Sequence, residues 1–73
     1  MIKKLYNMSV NSKGVFVGCE NKEKQKLLFS YGFICGCEVL LIAKNKIMVV
    51  VEVLDSTYSI SKNLASEILI KVE

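Results

Sequence analysis

The stretch Lys24-Gln-Lys-Leu-Leu-Phe-Ser-Tyr-Gly-Phe-Ile-Cys-Gly-Cys-Glu-Val39 decides the fold. No other segment carries apolar residues at helical spacing over any length. Leu27, Leu28 and Tyr31 share a stripe at i, i+1 and i+4, with Phe29 near its edge. Lys22, Gln25, Lys26 and Ser30 lie mostly off it. Asn21 is placed to cap the helix, and Glu23 sits in the first turn, where the dipole favours an anion. Gly32 is the predicted stop, because glycine enters the left-handed conformation without steric cost. Phe33 or Ile34 then folds back onto the last turn. Cys35-Gly36-Cys37 turns the chain, and a strand begins at Glu38.

Outside this stretch the chain reads as short strands. Residues 1–13 form an irregular lead-in, with Leu5, Met8 and Val10 spaced to pin it to a core. Asn11-Ser12-Lys13-Gly14 has the residues of a type I turn. Residues 15–19 form a strand with Val15, Val17 and Cys19 facing one way, and Gly18 marks a bulge or a close approach. Strands follow at 38–43 and 47–54. Asp55-Ser56 closes a tight turn into a strand at 57–60, with Tyr58 and Ile60 inward. Ser61 caps one helical turn at 62–66 that buries Leu64 and Ala65. Alternation from Ile68 to Val72 closes the sheet. The fold class is mainly β: about five mostly antiparallel strands, one α-helix and a short helical turn. Closing such a sheet removes its edges, so a small SH3-like barrel is expected. There is no repeat, linker or proline, and residues 1–73 read as one domain.

Composition narrows the function. A domain of 73 residues buries only about 60% of the surface its unfolded chain exposes. Yet 52% of this chain is hydrophobic and its mean hydropathy is +0.39. Two strands are apolar on both faces. In a barrel, Val39, Leu41 and Ala43 point inward and Leu40, Ile42, Met48 and Val50 point outward. Those four are candidates for an interaction surface, unless the helix or the lead-in covers them. No apolar run approaches the ~20 residues of a spanning helix, and no secretory signal is read at the start, so a cytoplasmic protein is expected.

Chemistry is sparse. The net charge is +3 with all ten basic residues lysine. Arginine, the residue that phosphate and base recognition favours, is missing, so no nucleic-acid partner is expected. Without histidine the usual general base and commonest metal ligand are gone. Three cysteines cannot form a complete set of disulfides and read as reduced thiols. Cys35 and Cys37 offer two soft ligands, but a structural zinc site takes four, so a complete site needs a second chain. No paired carboxylates and no phosphate-cradling loop appear. The chain is not expected to be an enzyme or to hold a cofactor.

The order Lys-Gly-Val-x-Val-Gly (13–18), Lys-Leu-Leu-x-x-Tyr-Gly-Phe-x-x-Gly-x-x-Val (26–39), a Val-rich hairpin and Tyr-x-Ile-x-x-x-Leu-Ala-x-x-Ile (58–68) resembles the FeoA family. The resemblance runs from about Leu5 to Val72. Where the family carries arginine before the leucines, this chain has Lys26. The family's Leu-Gly is Tyr31-Gly32, its Pro-Gly turn is Cys35-Gly36, and a later arginine is Lys62. Lysine does not reproduce the bidentate arginine fork, so partner specificity is where these departures count. The proline-to-cysteine exchange favours a turn role for Cys35 over a ligand role. The resemblance implies a small cytoplasmic SH3-like accessory protein of ferrous iron uptake that binds and modulates FeoB, a membrane GTPase. The contacts expected with such a partner are Lys26, Phe29, Tyr31 and Phe33 at the helix end, with the outward Leu40, Ile42, Met48 and Val50 on the strands. Alternatives are a metal- or redox-active cysteine protein and a detached DtxR-type regulator domain. No helix-turn-helix segment is read, which counts against a repressor. No membrane insertion is expected, and a homo-oligomer is compatible with the sequence.

Overall fold

Local chemistry sets both helix ends. In the computed structural model, which describes residues 1–72, α1 spans Lys22–Ser30. Asn21 caps it, its side-chain Oδ1 accepting the Glu23 N–H at 3.0 Å. At the other end Gly32 has φ +97°. The Gly32 N–H donates to the Phe29 carbonyl and the Phe33 N–H to the Leu28 carbonyl, both at 3.0 Å. This pair of bonds is a Schellman motif, and its usual apolar contact follows, with Phe33 and Leu28 both buried. The second helix, α2 (Lys62–Ala65), is capped by Ser61, whose Oγ accepts the Leu64 N–H at 3.3 Å.

The strands are β1 (Ile2–Lys4), β2 (Lys13–Cys19), β3 (Glu38–Lys44), β4 (Met48–Val53), β5 (Ser56–Ser61) and β6 (Ile68–Lys71). They form one sheet in the order β1-β6-β2-β3-β4-β5, each neighbouring pair antiparallel. The sheet wraps around Leu41, Val49, Val51, Val53, Ile60, Ile68 and Ile70, each no more than 2% exposed. Leu28 enters this core from α1, and Leu5 and Met8 from the lead-in.

The lead-in is more ordered than the sequence suggests. Ile2 pairs with Lys71 and Lys4 with Leu69, which adds a sixth strand. A 3₁₀ turn, Leu5–Asn7, follows. Its Tyr6 hydroxyl donates to the Asn45 carbonyl at 2.7 Å. Lys44 Nζ donates to the carbonyls of Tyr6 and Met8 at 3.0 and 2.9 Å. The ammonium groups of Lys44 and Lys62 lie 5.4 and 5.2 Å from the Tyr6 ring centre, within cation–π range. The chain is thus tied down by Leu5, Met8 and Tyr6, while Val10, expected in the core, is 43% exposed.

Register corrects three further expectations. The first turn lies two residues early: Ser12 N–H donates to the Ser9 carbonyl at 3.1 Å, and Asn11, at φ +71°, takes the third position. Gly14 is a strand residue there, and a Cβ on it would overlap Ile70 Cγ2 and sit 3.0 Å from the Lys71 carbonyl oxygen. Phe16, not Val15, faces the core. The bulge foreseen at Gly18 falls between Phe16 and Gly18, and its extra residue brings both Phe16 and Cys19 inward. A second bulge, between Leu41 and Ala43, leaves Ala43 exposed instead of inward.

Leu54 and Asp55 form the β4–β5 turn, at φ +50° and +65°, between the paired residues Val53 and Ser56. Two positive φ values define a type I′ turn, where asparagine and glycine are favoured and leucine is costly. Leu54→Asn is therefore expected to stabilise the protein by about 0.5–1 kcal/mol, raising Tm by roughly 4 °C, as read by thermal denaturation.

Candidate functional site

The same Schellman turn builds an apolar recess on the surface. Successive helical residues are about 100° apart, so with Leu28 inward, Leu27 and Phe29 fall on opposite flanks of α1. Leu27 is 45% exposed, which removes it from the expected core stripe. Phe29 leans over β2. After Gly32 the chain reverses, and Ile34 and Cys35 come up beside it. Phe29, Ile34, Cys35, Val17 and Gln25 line a groove of about 270 Å³. Phe16 and Phe33 lie beneath, edge to face, with ring centres 5.3 Å apart at 74°. Gln25 Nε2 donates to the Cys19 carbonyl at 3.2 Å and ties the helix to β2.

The expected contact residues divide. Lys26 is exposed on the outer face of α1. Phe29 is 66% exposed and forms a wall of the groove. Tyr31 is half-buried, stacked on Tyr58 with ring centres 5.0 Å apart, on the flank of α1 away from the groove. Phe33 is a correction: it is only 2% exposed, because the Schellman motif folds it back onto Leu28. It supports the groove from below. Ile34, at 49% exposed, takes the place at the surface expected of Phe33. Its signal in the sequence was an isoleucine two residues past a helix-stopping glycine, where one apolar residue folds in and the next is left out.

On the far side of the sheet, Leu40, Met48 and Val50 are half-buried and Ile42 is 37% exposed. α1 packs chiefly on β2 and the 3₁₀ turn on β6 and α2, while the end of the lead-in runs beside β3, Asn11 and Ser12 bonding to the Leu41 backbone at 2.7 and 3.0 Å. These four side chains are less exposed than Phe29 and Ile34.

The cysteines are free thiols. Cys19 is buried and Cys37 half-buried against the core. Cys35 is exposed, and its Sγ lies 3.5 Å from the Val17 carbonyl oxygen. The turn they share is closed by the Cys37 N–H donating to the Ile34 carbonyl at 2.9 Å. Among the described residues, no group of three or more His, Cys, Asp or Glu is placed to hold a metal. The ion pairs Lys4–Glu20 and Lys13–Glu38, at 3.6 and 3.7 Å, are surface contacts of the kind that contribute little, while Lys24–Glu67, at 3.4 Å, is partly buried, with Glu67 Oε2 shielded from solvent. No described helix is long and apolar enough to cross a membrane. Such a surface is equipped for contact through apolar side chains.

The fold and the groove together define a small mainly β domain of the SH3-like kind. The family model for the FeoA domain matches residues 3–72, so the chain belongs to the FeoA family, which is associated with ferrous iron transport. Among solved structures, it resembles a crystal structure of an iron uptake regulatory protein, FeoA, with a TM-score of 0.88 and 21% identity over 97% of this chain and 96% of that one. FeoA of Stenotrophomonas maltophilia, a prokaryotic SH3-domain protein solved with zinc, aligns with a TM-score of 0.79 and 19% identity over 92% and 87% of the two chains. A manganese-dependent transcriptional repressor gives a TM-score of 0.88 at 13% identity, over 99% of this chain and 42% of that one. At these identities the likeness is one of fold. No curated protein sequence matches the chain.

Proposed function

We propose that this protein is a cytoplasmic accessory protein of ferrous iron uptake, a single FeoA-like domain that docks on a FeoB-like membrane GTPase and modulates it. The observation that carries this reading is the groove between α1 and β2. Phe29 and Ile34 stand 66% and 49% exposed on either side of a floor of two packed phenylalanines. Large apolar residues left in water around a recess mark interaction sites on soluble domains. The groove's volume of about 270 Å³ suits one or two apolar side chains of a partner, the anchor-in-pocket arrangement of binding hot spots. Lys26, on the outer face of the same helix, supplies charge at the rim. The outward strand face of Ile42, Leu40, Met48 and Val50 serves as a secondary contact.

The test is a calorimetric titration of the protein into the GTP-hydrolysing cytoplasmic portion of the FeoB from the same organism. The expected result is saturable binding with a Kd of about 1–10 μM, the range of regulated, reversible contacts. Silence at concentrations of several tens of micromolar, roughly tenfold above that range, would overturn the reading.

A further inference from the structure

The turn between β3 and β4, Lys44-Asn45-Lys46-Ile47, is held from several sides. Asn45 Oδ1 accepts the N–H groups of Ile47 and Met48 at 2.8 and 2.9 Å, and the Asn45 N–H donates to the Met48 carbonyl at 2.9 Å. The Tyr6 hydroxyl donates to the Asn45 carbonyl, and the Lys62 N–H donates to the Ile47 carbonyl at 2.9 Å. The apex of this fixed turn is nonetheless apolar. Ile47 is 72% exposed, at a place where turn chemistry favours glycine, asparagine, aspartate or serine. Residues 42–47 are all exposed, so no neighbouring element covers the turn.

Around this apex the charge has one sign. Lys46 is exposed beside Ile47. Lys44 and Lys62 bring their ammonium groups to 5.4 and 5.2 Å from the Tyr6 ring centre, and Tyr6 itself is bonded to the turn, so both charges are fixed next to it. Among the described residues, no carboxylate pairs with any of the three. Glu52 and Asp55 lie toward the other end of the β4–β5 hairpin, and Glu67 pairs with Lys24.

We infer that this turn is a contact for the surface of a membrane containing anionic phospholipid. Ile47 reaches headgroup depth while Lys44, Lys46 and Lys62 face the negative surface, and no segment crosses the bilayer. Surface binding of this kind joins buried apolar area to attraction for anionic headgroups, and the turn supplies both at one point. Other occupants fit it less well. A protein interface takes roughly 20 or more residues a side, whereas a bilayer accepts a single protruding side chain. The phosphate backbone of a nucleic acid would partner the lysines but leave Ile47 in water. Because the hydrogen bonds already fix the turn, contact orders little further chain. One isoleucine buries less apolar area than a myristoyl chain, so the lipid Kd is on the order of 1 mM, weaker than the ~0.1 mM of such a chain. A contact this weak orients the domain at a bilayer and does not anchor it. The Phe29 groove lies on other elements, α1 and β2, so the inference does not depend on what the groove binds.

Flotation of the whole protein with vesicles tests this, comparing phosphatidylcholine alone with a mixture of phosphatidylcholine and phosphatidylglycerol. At about 0.15 M salt the mixed vesicles should be bound about a hundredfold more tightly, at roughly fivefold per lysine, and the preference should shrink as salt is raised. Lys46→Gln should weaken binding about fivefold, and Ile47→Ser at least about fivefold. Lys71→Gln is the control for overall charge. It lies on β6 at the level of Glu38, at the far end of β3 from the turn, and should change binding by less than about twofold. The chain has no tryptophan, so Ile47→Trp gives a single reporter, whose emission should move to the blue on the mixed vesicles. No binding at about 10 mM lipid, tenfold above the expected Kd, would overturn the inference. So would equal binding to both kinds of vesicle, or a loss as large for Lys71→Gln as for Lys46→Gln. An Ile47→Trp emission that moves only with an acidic protein or duplex DNA would also overturn it.

Discussion

Leu28→Ala is expected to lower Tm by more than about 10 °C, while Leu27→Ala, one residue away, leaves it within about 3 °C. Leu28 is fully buried, the one core residue α1 contributes. Truncating such a leucine costs about 2–5 kcal/mol, through lost burial and the cavity left behind. A core in a chain of this size supplies roughly 3–5 kcal/mol in all, so the variant sits near the edge of folding. Leu28 is also the residue whose carbonyl accepts the Phe33 N–H. Loosening it frees Phe33 and removes the floor of the groove. Leu27 is 45% exposed and surrenders little on truncation. Thermal and urea denaturation of the two variants side by side checks the contrast. Equal destabilisation would mean that the helix presents a different face to the sheet.

Phe29→Lys is expected to weaken binding to the FeoB-like GTPase at least about thirtyfold with no loss of Tm. A central anchor residue contributes about 2 kcal/mol or more to a protein interface, and a charge on the groove wall adds a desolvation cost. The fold should tolerate the change. Phe29 is 66% exposed in the last turn of α1, where lysine has good helix propensity and suits the negative end of the dipole. By contrast, Lys26→Ala at the rim should change affinity by only about twofold, mainly through the association rate. Calorimetry gives the affinities and a thermal melt shows that the fold is intact. Undiminished binding by Phe29→Lys would move the contact to the strand face of Ile42, Leu40, Met48 and Val50.

What could be read from sequence was what local chemistry controls. Asn21 and Ser61 cap where they should, Gly32 ends α1, and the hairpin strands start within a residue or two of their expected positions. These depend on neighbours a few positions apart. The sixth strand was hidden because Ile2 pairs with Lys71, nearly the whole chain away, and its three residues carry no period of their own. The face of β2 was misassigned because a bulge resets alternation, so Phe16 and Cys19 share an inner face that strict period-two reading denies them. The site was legible in part. Phe29 stood out as an aromatic at the edge of a helical stripe. Phe33 was misplaced because the motif that reverses the chain also decides which of the next two apolar residues folds inward. That choice belongs to backbone geometry at Gly32 and Phe33, and the sequence leaves it open between Phe33 and Ile34.

Docking through the α1–β2 groove is tested most directly by nuclear magnetic resonance. The isotope-labelled protein is titrated with the unlabelled cytoplasmic portion of the FeoB-like GTPase, and each amide is followed. The prediction is saturable shifts centred on Val17, Gln25, Phe29, Ile34 and Cys35, with smaller ones at Ile42 and Val50. Shifts confined to the opposite edge around Lys3, Lys13 and Lys71, or no shifts at saturating partner, would contradict it.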